Sequence, residues 1–136
     1  MSSQRYLFIL PVLVLFLTGC AYRGDPRVPY AVTLVIDYGP ADRPLESSSQ
    51  LVRKGSSPAD VLVQVAETKQ GFVCCTKEDI FSVNGVEASY EKNLYWIWEL
   101  NGQPQDLAPD RYKVRNGDRI TWLFRATDLP VHRRRL

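Results

Sequence analysis

The sequence is poor in the residues from which most active sites are built. It holds one histidine, His132, set among three arginines near the C-terminus. With no second histidine, a Ser-His-Asp or Cys-His pairing has no base to draw on inside the folded part of the chain. Three cysteines are present: Cys20 in the leader, and the adjacent pair Cys74 and Cys75. Two neighbouring thiols and one distant imidazole do not make a tetrahedral metal site. No glycine-rich loop of the kind that cradles phosphates occurs. The carboxylates of Glu78, Asp79, Asp106, Asp110 and Asp118 stand near turns and read as solvated groups or turn caps. The expectation is therefore no enzyme, no metal and no cofactor.

A basic stripe is missing as well. The net charge is +2, but four of the 17 cations, Arg5 and Arg133 to Arg135, lie in the leader and the tail. Setting those four aside leaves 13 cations against 15 acids, one of which, Asp128, lies in the tail. A slightly acidic body has little attraction for a phosphate backbone, so nucleic acid is not an expected partner. At 136 residues, 45% of them hydrophobic, the chain has room for one ordinary folded domain.

What is present at the N-terminus is more specific. Arg5 precedes an uncharged apolar run, Tyr6–Leu17. This run is well short of the about 20 residues that span a bilayer, and has the build of a secretory signal. It ends in Leu17-Thr18-Gly19-Cys20, which resembles the bacterial lipobox. The resemblance implies that Cys20 is exposed by cleavage and carries acyl chains on its sulfur and its amine. Several chains, at about 0.8 kcal/mol per buried methylene, make a stable anchor. Ala21 follows instead of an acidic residue, which by the rule for enterobacterial lipoproteins favours the outer membrane if the host has one. The expected division is a signal peptide over 1–19, a lipidated tether over 20–29, a domain over 30–126 and a basic tail over 127–136.

Within the domain, Leu94–Gly102 dominates. Leu94, Trp96, Trp98 and Leu100 alternate with Tyr95, Ile97 and Glu99, and Asn101-Gly102 supplies a type I′ hairpin turn. Ahead of it, Tyr30–Tyr38 reads as a first strand and Ser48–Lys54 as a second, more polar one. Ser57, Pro58 and Asp60 form a helix start. The helix is expected to reach Lys69, with Ala59, Leu62, Val65 and Ala66 on its apolar stripe. Phe72–Glu78 has no clear period. Ile80–Asn84 reads as a short strand, Val86–Asn93 as a polar connection, and Arg119–Arg125 as a last strand launched by Asn116-Gly117-Asp118. Two strands, one helix and further strands are the order of an α+β, β-grasp-like mixed sheet with one helix packed across it.

Four pieces of this chain, in order, resemble a known family: Val32–Gly39, Val83–Val86, Trp96–Gly102 and Gly117–Trp122. They look like the transcobalamin C-terminal-like domain of unknown function, which recurs in bacterial surface and lipid-anchored proteins. The resemblance covers about residues 30–126. It implies a β-rich fold and a binding role. In the animal cobalamin carriers the domain closes over a cofactor held mainly by a helical barrel, and no counterpart of that barrel is read here. Cobalamin is thus only a remote candidate, through the family alone.

Two functional classes follow. The first is a lipid-anchored module that binds a small molecule or an envelope protein. If Trp96 and Trp98 face the helix, the opposite face would carry Tyr95 and Ile97, joined by Thr33 and Val35 if the first strand lies alongside. The second class is an envelope thiol–disulfide or soft-metal-handling protein. It would use Cys74 and Cys75, which close a disulfide only through a strained eight-membered ring.

Overall fold

The computed structural model describes residues 29–73, 76–89 and 91–126. The leader, Cys20, the pair Cys74 and Cys75, and the tail over 127–136 lie outside the described residues. The described residues form eight strands: β1 (Tyr30–Asp37), β2 (Glu46–Val52), β3 (Thr68–Val73), β4 (Thr76–Val83), β5 (Val86–Glu87), β6 (Leu94–Leu100), β7 (Gln103–Pro104) and β8 (Arg119–Ala126). One short α-helix among the described residues, α1 (Pro58–Val63), follows β2, and a 3-10 turn, Gly39–Ala41, follows β1. The strands form a five-stranded sheet in the order β2-β1-β8-β6-β7 and a three-stranded sheet in the order β3-β4-β5. The first and last strands run parallel at the centre of the larger sheet, while its other pairs are antiparallel. This is the expected α+β, β-grasp-like arrangement, with a second small sheet that the sequence pattern did not reveal.

The helix starts as its residues dictate. Ser57 accepts from the Asp60 N–H at 3.2 Å, and Asp60 Oδ2 accepts from the Ser57 N–H at 2.8 Å, a reciprocal capping box. It ends at Val63, six residues short of the expected Lys69. Asn84 supplies the reason. Its Oδ1 accepts from the Glu67 N–H at 2.9 Å, and its own N–H donates to the Glu67 carbonyl at 2.7 Å. Thr68–Val73 then pairs with β4 instead of continuing the helix. Pro58, Val61 and Leu62 are the helix residues fully buried, while Val65, beyond its end, is exposed.

Phe72–Glu78, without a readable period, is the region of a β3–β4 hairpin. Of the three Asn-Gly pairs, two take positive φ at both residues: Asn84-Gly85 and Asn101-Gly102, as type I′ turns require. In the third only Gly117 does so, and the Asn116 side chain accepts from the Ala31 N–H at 2.8 Å.

The core lies between the larger sheet and α1. It gathers Val32, Leu34 and Ile36 from β1, Trp96 and Trp98 from β6, and Ile120, Trp122 and Phe124 from β8. Ile80 and Val83 of β4 close it from the smaller sheet. The Trp96 ring stands edge-on to Tyr38 at 5.8 Å and tilts against Phe124 at 5.2 Å. Both tryptophan N–H groups find carbonyls in loops: Trp96 donates to Val86 and Trp98 to Leu107, each at 2.9 Å. A Cβ at Gly39, where φ is +47°, would collide with the Phe124 carbonyl oxygen, so the turn after β1 requires glycine.

A second junction is polar. The buried Tyr38 hydroxyl donates to Glu46 at 2.8 Å and accepts from Asn84 Nδ2 at 2.7 Å. Arg43 donates to the Asn84 carbonyl at 2.6 Å and lies over the Tyr38 ring. Burial, and then the bond to Glu46, hold the Tyr38 hydroxyl's pKa above the ordinary tyrosine value, against the opposing effect of Asn84.

Two outcomes follow. Trp96→Ala should cost about 3–5 kcal/mol in denaturant unfolding, the usual loss for a truncated core aromatic. Tyr38→Phe should cost about 1–2 kcal/mol by stripping a partner from Asn84. Because the folded state holds the Tyr38 proton more tightly than the unfolded chain, its contribution is complete below about pH 10 and is lost as pH rises through the folded value. Stability of Tyr38→Phe should accordingly fall less steeply than wild type above that pH. Tyr112, raised by burial and then by its bond to Asp118, retains its own share of the slope.

Candidate functional site

Alternation along β1, β8 and β6 places one set of side chains on the face turned away from α1. From β1 these are Thr33, Val35 and Asp37; from β8, Arg119, Thr121, Leu123 and Arg125; from β6, Tyr95, Ile97 and Glu99. The register sets Ile97 beside Leu123 and Leu123 beside Asp37. Glu99 stands beside Thr121, which stands beside Val35. The four residues expected on this face, Thr33, Val35, Tyr95 and Ile97, do share it. They are not on neighbouring strands, however, because β8 runs between β1 and β6. Leu123 is the residue that joins the two halves.

The face is only partly open. Val35 is 1% exposed and Leu123 is 4% exposed, whereas Thr33, Tyr95 and Ile97 are half-buried. Val35 offers no surface to a ligand. The accessible part consists of Thr33, Tyr95 and Ile97 with the charges around them. Arg125 pairs with Asp37 at 2.9 Å across the end of this face. The Gly39 N–H donates to Asp37 at 2.9 Å, and that bond, then the Arg125 guanidinium, holds the Asp37 carboxyl below its ordinary range. The result is an apolar centre, Ile97 and Leu123, next to an ion pair and an aromatic ring.

The other polar concentrations are committed to architecture. Buried Asp118 accepts from the Arg115 N–H at 2.7 Å, from the Tyr112 hydroxyl at 3.0 Å and from Asn101 Nδ2 at 3.2 Å. Asn101 in turn accepts from the Arg119 N–H at 2.8 Å, which locks the β6–β7 turn to the start of β8. Asp118 thus caps turns, one of the two roles expected for it. Among the described residues, no three side chains of His, Cys, Asp and Glu converge in a way that could hold a metal ion. Cys74 and Cys75, the other candidate site, lie outside the described residues, as does the lipid-attachment candidate Cys20.

Comparison with known proteins places this architecture. A protein from Ruminococcus gnavus ATCC 29149, described as a candidate metal-binding protein, superposes with a TM-score of 0.57 at 16% identity. The match covers 72% of this chain and 98% of that one. Haptocorrin, in a crystal structure with Cbi, superposes with a TM-score of 0.50, also at 16% identity. That match covers 77% of this chain but 28% of haptocorrin, so the shared part is a minor portion of the larger protein. At such identities the likeness is one of fold. No curated protein matches the sequence. The family model described as "Domain of unknown function (DUF4430)" matches residues 59–126, half of the chain, from α1 through the last residue of β8. The chain belongs to the DUF4430 family.

Proposed function

We propose that the chain is a membrane-anchored, extracytoplasmic lipoprotein whose β-grasp-like domain is a binding module. It takes a small molecule or a partner protein over the sheet face of Thr33, Tyr95 and Ile97. The observation that carries this reading is the division of the larger sheet. α1 and the tryptophans fill one face, while the other holds half-buried apolar and aromatic side chains beside a charged pair. A half-open apolar patch with polar groups at its margin is what recognition surfaces offer. The fold supports the same reading, since it is shared with a protein described as a candidate for metal binding and with part of a protein crystallised with Cbi. The absence of enzymatic chemistry remains part of the proposal, supported by the structural duties of Asp118 and Tyr38.

Anchoring rests on the leader: a short apolar run behind Arg5, then Leu17–Cys20. The anchor would hold the domain on a tether of nine residues, 21–29, able to reach about 30 Å when extended. Ala21 directs the proposal to the outer membrane in a host that has one.

Two experiments test the reading. Cys20→Ser should move the protein from the detergent phase to the aqueous phase, or leave an uncleaved precursor; unchanged partitioning would refute the anchor. For the binding face, Ile97→Thr keeps a β-branched side chain and should preserve folding. Wild-type protein and the variant would be compared by equilibrium dialysis against Cbi and by capture from envelope extract. Loss of about tenfold in affinity, or of the captured species, corresponds to about 1.4 kcal/mol and supports the face. Identical behaviour of the two proteins would place binding elsewhere.

A further inference from the structure

The edges of the two sheets are not alike. Exposed strand edges invite pairing with other chains, and proteins commonly blunt them with proline, lysine, bulges or shortness. β7 is two residues long and contains Pro104, and β5 is also two residues long. β3 carries Lys69, and its pairing with β4 shifts register at Lys69/Gln70 and again at Gly71/Val73. β2 has none of these devices. Its seven residues, Glu46-Ser47-Ser48-Ser49-Gln50-Leu51-Val52, pair with β1 in unbroken register and contain no proline or lysine.

The direction of its backbone groups follows from the ladder. The Thr33 N–H donates to the Asp118 carbonyl at 2.9 Å, and the Ala31 carbonyl accepts from Gly117. Odd-numbered residues of β1 thus turn their backbone groups toward β8, and even-numbered ones turn toward β2. Val32 faces Gln50 and Leu34 faces Ser48. Alternation then leaves the N–H and C=O groups of Ser47, Ser49 and Leu51 pointing out of the sheet. Apolar surface gathers at the same place. Leu51 is 69% exposed and Leu45, just before the strand, is 58% exposed. Val63 and Val65, also exposed, line two open grooves of about 690 and 430 Å³ that border β2 residues.

We propose that β2 is a pairing edge, and that its occupant is β2 of a second copy of this chain, joined antiparallel about a two-fold axis at Ser49. In that register Ser49 faces Ser49, and Ser47 faces Leu51 of the second copy in both directions. The three outward residues of each strand then exchange all of their free N–H and C=O groups. A register centred one residue to either side leaves Leu51 or Ser47 facing a residue outside the strand. The Ser47 and Ser49 side chains are small, so the two sheets can approach. Glu46, the strand's only charge, comes within diagonal reach of Lys54 of the second copy, twice by symmetry. The proposal leaves the Ile97 face free and stands whether or not that face binds a ligand.

The test uses the full chain purified in detergent, with its protein mass measured by light scattering. Wild type should have the mass of two chains. Ser49→Pro should have the mass of one chain with a retained melting temperature, because the Ser49 N–H points away from β1 and edge positions tolerate proline. Cross-linking provides an arm that does not depend on that variant folding. In a Cys74→Ser, Cys75→Ser background, Ser49→Cys should form a disulfide-linked dimer. The Cα atoms of a hydrogen-bonded antiparallel pair lie about 5.5 Å apart, within disulfide range. Ser47→Cys should not, since the two copies of position 47 are offset by four residues, about 13 Å along the strand. A one-chain mass for wild type, a two-chain mass for Ser49→Pro, or equal cross-linking at 47 and 49 would each overturn the proposal.

Discussion

The structure depends on how the Tyr38–Trp96 corner joins its two sheets. Tyr38 follows the last residue of β1, and its ring meets Trp96 of β6 edge-on, while its hydroxyl is held by Asn84 in the β4–β5 turn. Trp96 reaches the same small sheet by donating to the Val86 carbonyl in β5. One aromatic pair therefore contributes packing inside the larger sheet and two directional bonds to the smaller one. Buried polar atoms without partners cost about 1–3 kcal/mol each, so both groups favour this one relative placement of the sheets. Trp122, at the centre of β8, carries the same indole without an acceptor, and its contribution is burial alone.

Much of this was legible in the sequence. The alternation of Leu94–Leu100 identified β6 and its two sets of side chains, though not which set is buried, and Ser57-Pro58-Ala59-Asp60 identified the start of α1. The end of α1 was not legible, because Val65 and Ala66 continue a helical period on paper. What stops the helix is Asn84, seventeen residues further on, which takes both backbone groups of Glu67. The β3–β4 hairpin was hidden for a related reason. Its residues lack alternation, and its pairing is irregular, so the hydrophobic period that marks a strand never develops.

The candidate face shows the same division. That Tyr95 goes with Ile97, and Thr33 with Val35, followed from period-two alternation; that the two pairs share one side depends on the register through β8. That β8 separates them followed from the parallel pairing of the first and last strands, which no local pattern encodes. Strand order is a long-range property. It also decides that β2 is left at an edge, and so where the sheet can still pair. Function in this domain is accordingly assigned to what the core leaves over: one half-open face and one regular edge.

A double-mutant cycle on Tyr38→Phe and Asn84→Ala, followed by denaturant unfolding, tests the junction on which this account rests. The two sheets are held together in part by that hydroxyl–amide contact, so the two losses should be strongly non-additive, with a coupling of about 1 kcal/mol, as for residues in direct contact. Additive losses, with a coupling near zero, would mean that the sheets are held in place without it.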